Sequence, residues 1–419
     1  MSIMQQRSIT DHSNSRPLLR NTSAYYGDSY LLIISMLLIA FGLVMMTSAS
    51  IEIAESQYGD AFYHLKRQIR FLFIGIVAAI TVGMIPIKYW KQSSAILFLC
   101  ALAFLIAVLM PGIGREVNGS TRWLNLGFMT IQASEPAKLL IVIFIAYVLS
   151  ENREFICTSW KGFVIPFVMV LLPVILLLKE PDFGAVVVLM IAIFGMMFLA
   201  GVKLYHFALL LLLSAGGVAG LILSAPYRLA RVKSFVQALS DPFNEDVVFG
   251  SGYQLAQALI GFGRGEWFGV GLGNSIQKMY FLPEAHTDFV LAIIAEELGV
   301  IAVMVLLGLF LGFILRALMI ARKNEETGNF FSAYVAYGIA FLFAGQIIIN
   351  AAVNVGLAPT KGLTLPFLSS GGSSLITCLV MLALLIRIDI ENFYAAMGKS
   401  KKPLKTKFNG KVIDNKNDR

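Results

Sequence analysis

Four acids and a histidine crowd one stretch of this chain, QKMYFLPEAHTDFVLAIIAEELG (Gln277–Gly299): Glu284, His286, Asp288, Glu296 and Glu297. Asp288 stands where a polar loop gives way to a long apolar run. An acid at such a boundary is partly stripped of water, its pKa rises toward neutrality, and it becomes suited to taking a proton from a hydroxyl during group transfer. Thr287 and Asp288 equally suit the exposed amides and dipole of a following helix, so simple capping competes with that reading. On an ideal helix starting here, Glu296 would lie about 12 Å further along the axis and roughly 80° round. Glu296 and Glu297 therefore cannot share a substrate atom with Asp288, and as acids inside an apolar run they need a basic partner or a wet cavity.

Further polar groups recur at the ends of apolar runs. Glu135 and Lys138 are three residues apart across a helix start that carries Pro136, hence on one face. They read either as an ion pair or as an anion and a cation facing a cavity, with Lys138 placed to meet a phosphate. Arg122–Trp123 joins a guanidinium to an indole, a combination suited to anion contact and sugar stacking. Lys361 opens a segment in which Gly371 and Gly372 are flanked by Ser369, Ser370, Ser373 and Ser374. That is either a backbone nest for an anion or an ordinary serine-glycine helix start. Asp182 lies in a tight KEPDFG turn, and with Glu296 and Glu297 it reads as a structural or cavity acid. No phosphate-loop, dinucleotide, HExxH or nucleophile-elbow pattern is present, and Asn21 and Asn118 head sequons too short to weigh.

The elements that must position these groups are membrane helices. Of 419 residues, 58% are hydrophobic and only 14% charged, against roughly a quarter charged in soluble domains. Spans are expected near 30–48, 71–87, 93–110, from 136, 163–178, from 183, after His206 to about 226, 288–316, 330–355 and 375–388, ten in all. The fold class is thus an all-α polytopic membrane protein, with a tail at 1–27, one membrane domain at 28–390 and a basic tail at 391–419. The connection 227–287 is long enough to be functional. An even span count puts both tails on one side. The basic residues Lys88, Lys91, Arg153, Lys161, Lys203, Arg322 and Lys323, with both tails, mark that side as cytoplasmic and the Asp288 loop as external. The net charge of +8 sits largely in the C-terminal tail beside a span, which argues for topology rather than nucleic acid. Cys100, Cys157 and Cys378 have no metal or disulfide spacing. No cleavable signal is expected, the first span serving as its own insertion signal.

Two function classes fit. One is an enzyme acting on a lipid-linked, phosphate-bearing substrate at the outer face. The other is a transporter or flippase whose path is lined by Glu180, Asp182, Glu296 and Glu297.

The segments GYQLAQALIGFGRGEWFGVGLGNSIQKMYFLPEAHTDFVLAIIAEELG and APTKGLTLPFLSSGGSSL resemble the SEDS family of shape, elongation, division and sporulation proteins, and its division branch above all. The likeness runs from about Tyr30 to Ile390. It implies a ten-span peptidoglycan glycosyltransferase that polymerises lipid II outside the cytoplasmic (inner) membrane, at the division septum. The family's essential aspartate falls on Asp288, and its fourth-helix acid and lysine fall on Glu135 and Lys138. The chain has QASEPAK where many relatives have QPSEPAK; Ala133 loosens that loop without removing either group. The resemblance also implies a class B penicillin-binding transpeptidase and other division membrane proteins as partners. Lys138, Arg122 and Lys361, or a divalent cation such as magnesium or manganese, would meet the leaving pyrophosphate, with Trp123, His286, Ser369 and Ser370 as further substrate contacts. The family has also been read as a flippase, and the sequence leaves metal identity open.

Overall fold

A computed structural model describes residues 27–117, 120–125, 127, 130–223, 252–359 and 362–400, with isolated positions between 224 and 251. Lys361, Asn21, Asn118, the N-terminal tail to 26 and residues 401–419 lie outside the described residues.

Apolar runs of spanning length form the expected helices. In chain order these are α1 (Ser29–Tyr58), α2 (Tyr63–Met84), α3 (Ile87–Gln92), α4 (Ser94–Leu109), α5 (Ser134–Glu151), α6 (Arg153–Thr158), α7 (Trp160–Lys179), α8 (Phe183–Leu199) and α9 (Leu204–Leu223). After them come α10 (Tyr253–Gly265), α11 (Val290–Glu326), α12 (Phe330–Asn354) and α13 (Gly372–Ser400). With α3, α6 and α10 set aside, a helix stands at each of the ten expected spans. Six are long and apolar enough to cross a bilayer by length and composition alone, and α4 and α8 are shorter apolar helices. This is a multi-pass membrane protein. α13 runs to Ser400, past the boundary expected at 390.

The bundle has two ends, fixed by contacts between loops distant in sequence. At one end Lys91 pairs with Glu151 at 2.6 Å, Arg153 with Glu325 at 3.5 Å, and Glu391 accepts from the Ile87 amide at 3.0 Å. Arg316 closes the same end on Asp28, which also caps α1 through the Leu31 amide. The opposite end gathers the loops after α1, α4, α7, α10 and α12.

Two features depart from expectation. The connection between α4 and α5 holds a small antiparallel sheet, β1 (Gly114–Val117), β2 (Ser120–Asn125) and β3 (Thr130–Gln132), with Trp123 opposite Arg115 and Gln132. The second concerns the eighth span, expected to run unbroken from Asp288. The helix starts at Val290 and breaks at Gly299, where φ is 82° and ψ is 172°. The loop after α10 repairs that break with backbone alone. Val270 and Gly271 donate to the Glu296 and Glu297 carbonyls at 3.0 and 2.9 Å, while Glu266 and Trp267 accept from Val300 and Ile301 at 2.9 and 3.3 Å. Irregular backbone among membrane spans survives where protein satisfies it, as here. Because Asp288 is outside the helix, the ideal-helix relation of Asp288 to Glu296 does not hold.

Candidate active site

Asp288 lies two residues before α11, whose cap position is Phe289 with no side-chain cap bond. The capping reading therefore fails. The carboxyl is half-buried at the loop-bearing end of the bundle. Loss of hydration pushes its pKa up to about 7; Glu284 adds to the rise, Arg122 opposes it, and Asp182 adds again. Glu284 is held in a left-handed conformation (φ 58°), and its carboxylate accepts from the Thr287 hydroxyl at 2.7 Å. Gly362 faces Asp288 closely: a Cβ at that position would stand 2.8 Å from Oδ2.

Arg122 is brought to this cluster by β2. Its guanidinium donates to the carbonyls of Glu180 at 3.2 Å and Pro181 at 2.6 Å, clamping the sheet onto the turn between α7 and α8. Trp123 follows it, partly buried. Asp182 caps α8 through the Ala185 amide at 3.2 Å and accepts from Ser134 Oγ at 2.8 Å and Gln132 Nε2 at 3.2 Å. It is a buried tie between three elements. Glu180 is wholly buried, and neither carboxyl oxygen has a partner among the described residues. Burial, then Asp182, pushes its pKa up to about 8 against the opposing Arg122.

Glu135 and Lys138 form an ion pair at 2.9 Å with side chains 6% and 3% exposed. The pair is closed, not presented to open solvent as an outward cavity would require. Glu296 and Glu297, on the α11 segment before Gly299, are neutralised. Arg264 reaches Glu296 at 2.6 Å, and Ser275 and the Ile276 and Gln277 amides complete its shell. Lys278 meets Glu297 at 3.0 Å, and Ser48 of α1 donates to both its oxygens at 2.8 and 2.7 Å. These acids pin the loop 275–278 to α11 and α1.

His286 is packed against His64 of α2, ring centroids 4.8 Å apart, and its Nδ1 is buried without a partner among the described residues. Burial lowers its pKa, Glu284 opposes that, and Arg67 lowers it further. Its carbonyl accepts from the Ser370 amide at 2.9 Å. Ser369 Oγ takes the Leu365 amide at 2.8 Å, Ser373 Oγ takes the Gln132 amide at 3.3 Å, and Ser374 meets Thr364 at 3.0 Å. Neither Gly371 nor Gly372 has a positive φ, and a Cβ at Gly372 would strike the Phe71 ring at 2.5 Å. The segment is thus a packed helix start and not an anion nest. Among the described residues no group of three or more His, Cys, Asp or Glu is arranged to hold a metal ion.

Sequence reading missed Gly362 and the pair Asn350 and Asn354 of α12, whose amides contact the Asp288 carbonyl at 2.9 and 3.1 Å. The available signal was two asparagines four residues apart inside an apolar span, hence one polar face.

Residues 28–394 match the model of the cell cycle protein family of FtsW, RodA and SpoVE. The chain is 48% identical over 372 residues to the probable peptidoglycan glycosyltransferase FtsW of Hahella chejuensis, covering 89% of this chain and 92% of that one. It is 50% identical over 355 residues to the protein so named in Pseudomonas fluorescens, covering 85% and 86%. Among solved structures, a chain of a peptidoglycan synthase complex for polymerization and crosslinking superposes with a TM-score of 0.72 at 26% identity, covering 88% of this chain and 98% of that one. The rod shape determining protein RodA of Thermus thermophilus superposes at 0.65 with 25% identity, again over 88% and 98%. With Asp288 uncapped at the loop-bearing end of a multi-pass bundle, and this likeness along nearly all of it, the chain belongs to the FtsW, RodA and SpoVE family of cell cycle proteins.

Proposed function

We propose that this protein is a peptidoglycan glycosyltransferase of cell division that polymerises lipid II at the outer face of the cytoplasmic membrane. The observation that carries this reading is the Asp288 carboxyl, free of the helix start and with a pKa near 7. Such a group is ionised often enough at neutral pH to act, and basic enough to take a proton from an alcohol. In the reaction, Asp288 takes the proton of the acceptor's GlcNAc 4-hydroxyl as that oxygen attacks the donor's anomeric MurNAc carbon. The bond to the lipid pyrophosphate breaks with inversion, converting an α-linked donor to a β-1,4 linkage and releasing undecaprenyl pyrophosphate.

Arg122, within electrostatic reach of Asp288, is the cation best placed to steady the developing charge. Lys361 is assigned as a further cation of the substrate site, while Lys138, closed on Glu135, holds the start of α5. Trp123, His286, Ser369 and Ser370 belong to its walls. The loops bearing Lys88, Lys91, Arg153, Lys161, Lys203, Arg322 and Lys323, with the tails at 1–27 and 391–419, are assigned to the cytoplasmic side, and 227–287 to the outer side. A class B penicillin-binding transpeptidase is the expected partner, with the protein concentrated at the septum. Lipid transport has less behind it, because Glu296 and Glu297 are paired.

Full-length protein reconstituted with labelled lipid II tests the reading. Glycan strands from the unaltered chain and none from Asp288→Asn are expected. Lipid II crossing vesicles without strand formation, and equally well in Asp288→Asn, would favour transport instead.

A further inference from the structure

We infer that Asn350 and Asn354 are positioning residues for the reaction, a cross-helix clamp that keeps Asp288 out of α11. This rests on the glycosyltransferase reading above. Asn354 is wholly buried and Asn350 is 2% exposed. The Asn354 amide sits across a hydrogen bond that α11 would otherwise make. Were the helix one residue longer, the Ala292 N–H would donate to the Asp288 carbonyl. Instead Ala292 N–H is shared between the Phe289 carbonyl at 3.0 Å, a tight first turn, and Asn354 Oδ1 at 3.1 Å, while Asn354 Nδ2 donates to the Asp288 carbonyl at 3.1 Å. Asn350 Nδ2 makes a second bond to that carbonyl at 2.9 Å and a bond to the Leu363 carbonyl at 2.6 Å. Asn354 Nδ2 also donates to the Asn350 main-chain carbonyl at 2.9 Å and to Asn350 Oδ1 at 3.3 Å, the second bond joining the two side chains.

Two consequences follow for the carboxyl. It is held off the free amides of the helix start, which would bind and stabilise its ionised form. Asn350 also joins the two segments that frame it, the Asp288 loop and the strand of chain at 362–363, where Gly362 lies against Oδ2. Without the clamp the helix can grow back by one residue, and Asp288 becomes an ordinary capping acid. Of the charged groups acting on Asp288, Arg122 and Asp182 come from other elements and stay in place, whereas Glu284 lies four residues earlier on the same turn.

The test uses full-length Asn350→Ala and Asn354→Ala in lipid II polymerisation, with rates measured across pH and corrected for folded, monodisperse protein. Asn354→Gln, which keeps an amide but displaces it, stands in where an alanine variant fails to accumulate. The expected result is a kcat lowered about ten- to a hundredfold with KM within about threefold, as small misplacement of a reacting group produces. The acid limb of the pH profile moves to lower pH in the same variants. An unchanged kcat overturns the inference, and so does a lost kcat with an unmoved limb, which marks a merely structural role. Asp288→Asn in the same assay separates the two claims: if it still polymerises, the glycosyltransferase assignment of Asp288 fails first.

Discussion

Gly362 backs directly onto Asp288, so that a Cβ at 362 would stand 2.8 Å from the Asp288 carboxyl oxygen Oδ2. The contact sets the carboxyl against bare backbone, and a methyl group there must push it aside. Gly362→Ala is expected to lower the polymerisation rate at least about tenfold while leaving expression and thermal unfolding near those of the unaltered protein. Equal rates would mean that the position of Oδ2 is unimportant.

With Asp288 as the proposed base, its acidity sets the pH dependence expected of the reaction. A base that ionises near 7 is protonated below that value, so kcat/KM should fall about tenfold per pH unit on the acid side and level off above it. A profile flat from pH 5 to 8 contradicts the assignment.

The same shift bears on stability with the opposite sign. The carboxyl ionises at 3.8 ordinarily and about 7 in the fold, so the native state holds a proton that the unfolded chain has lost between those values. Stability therefore declines as pH rises from 3.8 to about 7. Asp288→Asn removes this decline. Its unfolding temperature should exceed that of the unaltered chain at pH 8 and match it near pH 4, checked by thermal unfolding in detergent.

Lys278 and Glu297 give a prediction about architecture. Both side chains are under 5% exposed, and each is the other's charged partner. Glu297→Gln or Lys278→Met alone leaves a buried charge unpaired, at a cost of about 3–5 kcal/mol. The double variant should recover much of that loss. Additive effects, seen in thermal or denaturant unfolding, would show that the two residues do not act as a pair.

The spans were legible because each is a run of apolar residues bounded by polar turns, and Asp288 was legible because an acid at the mouth of an apolar run is conspicuous. Its freedom from capping was not. Thr287 and Asp288 have good local capping chemistry, and amides from Asn350 and Asn354 on a different span override it. The break at Gly299 was hidden for a related reason. Apolar residues continue on both sides, and the partners that repair the backbone are carbonyls and amides of residues 266–271. Glu135 and Lys138 were correctly placed on one face, yet their closure into a buried pair depends on packing that helical spacing does not encode. The three short strands between α4 and α5 carried too few residues for alternation to declare them.

The central claim is that Asp288 is the base, and the initial rate of lipid II polymerisation by full-length Asp288→Asn tests it most directly. At matched amounts of folded protein the rate should fall about 10²–10⁴-fold, the usual contribution of a general base. A variant that keeps more than about a tenth of the unaltered rate would contradict the account, whatever else the site proved to do.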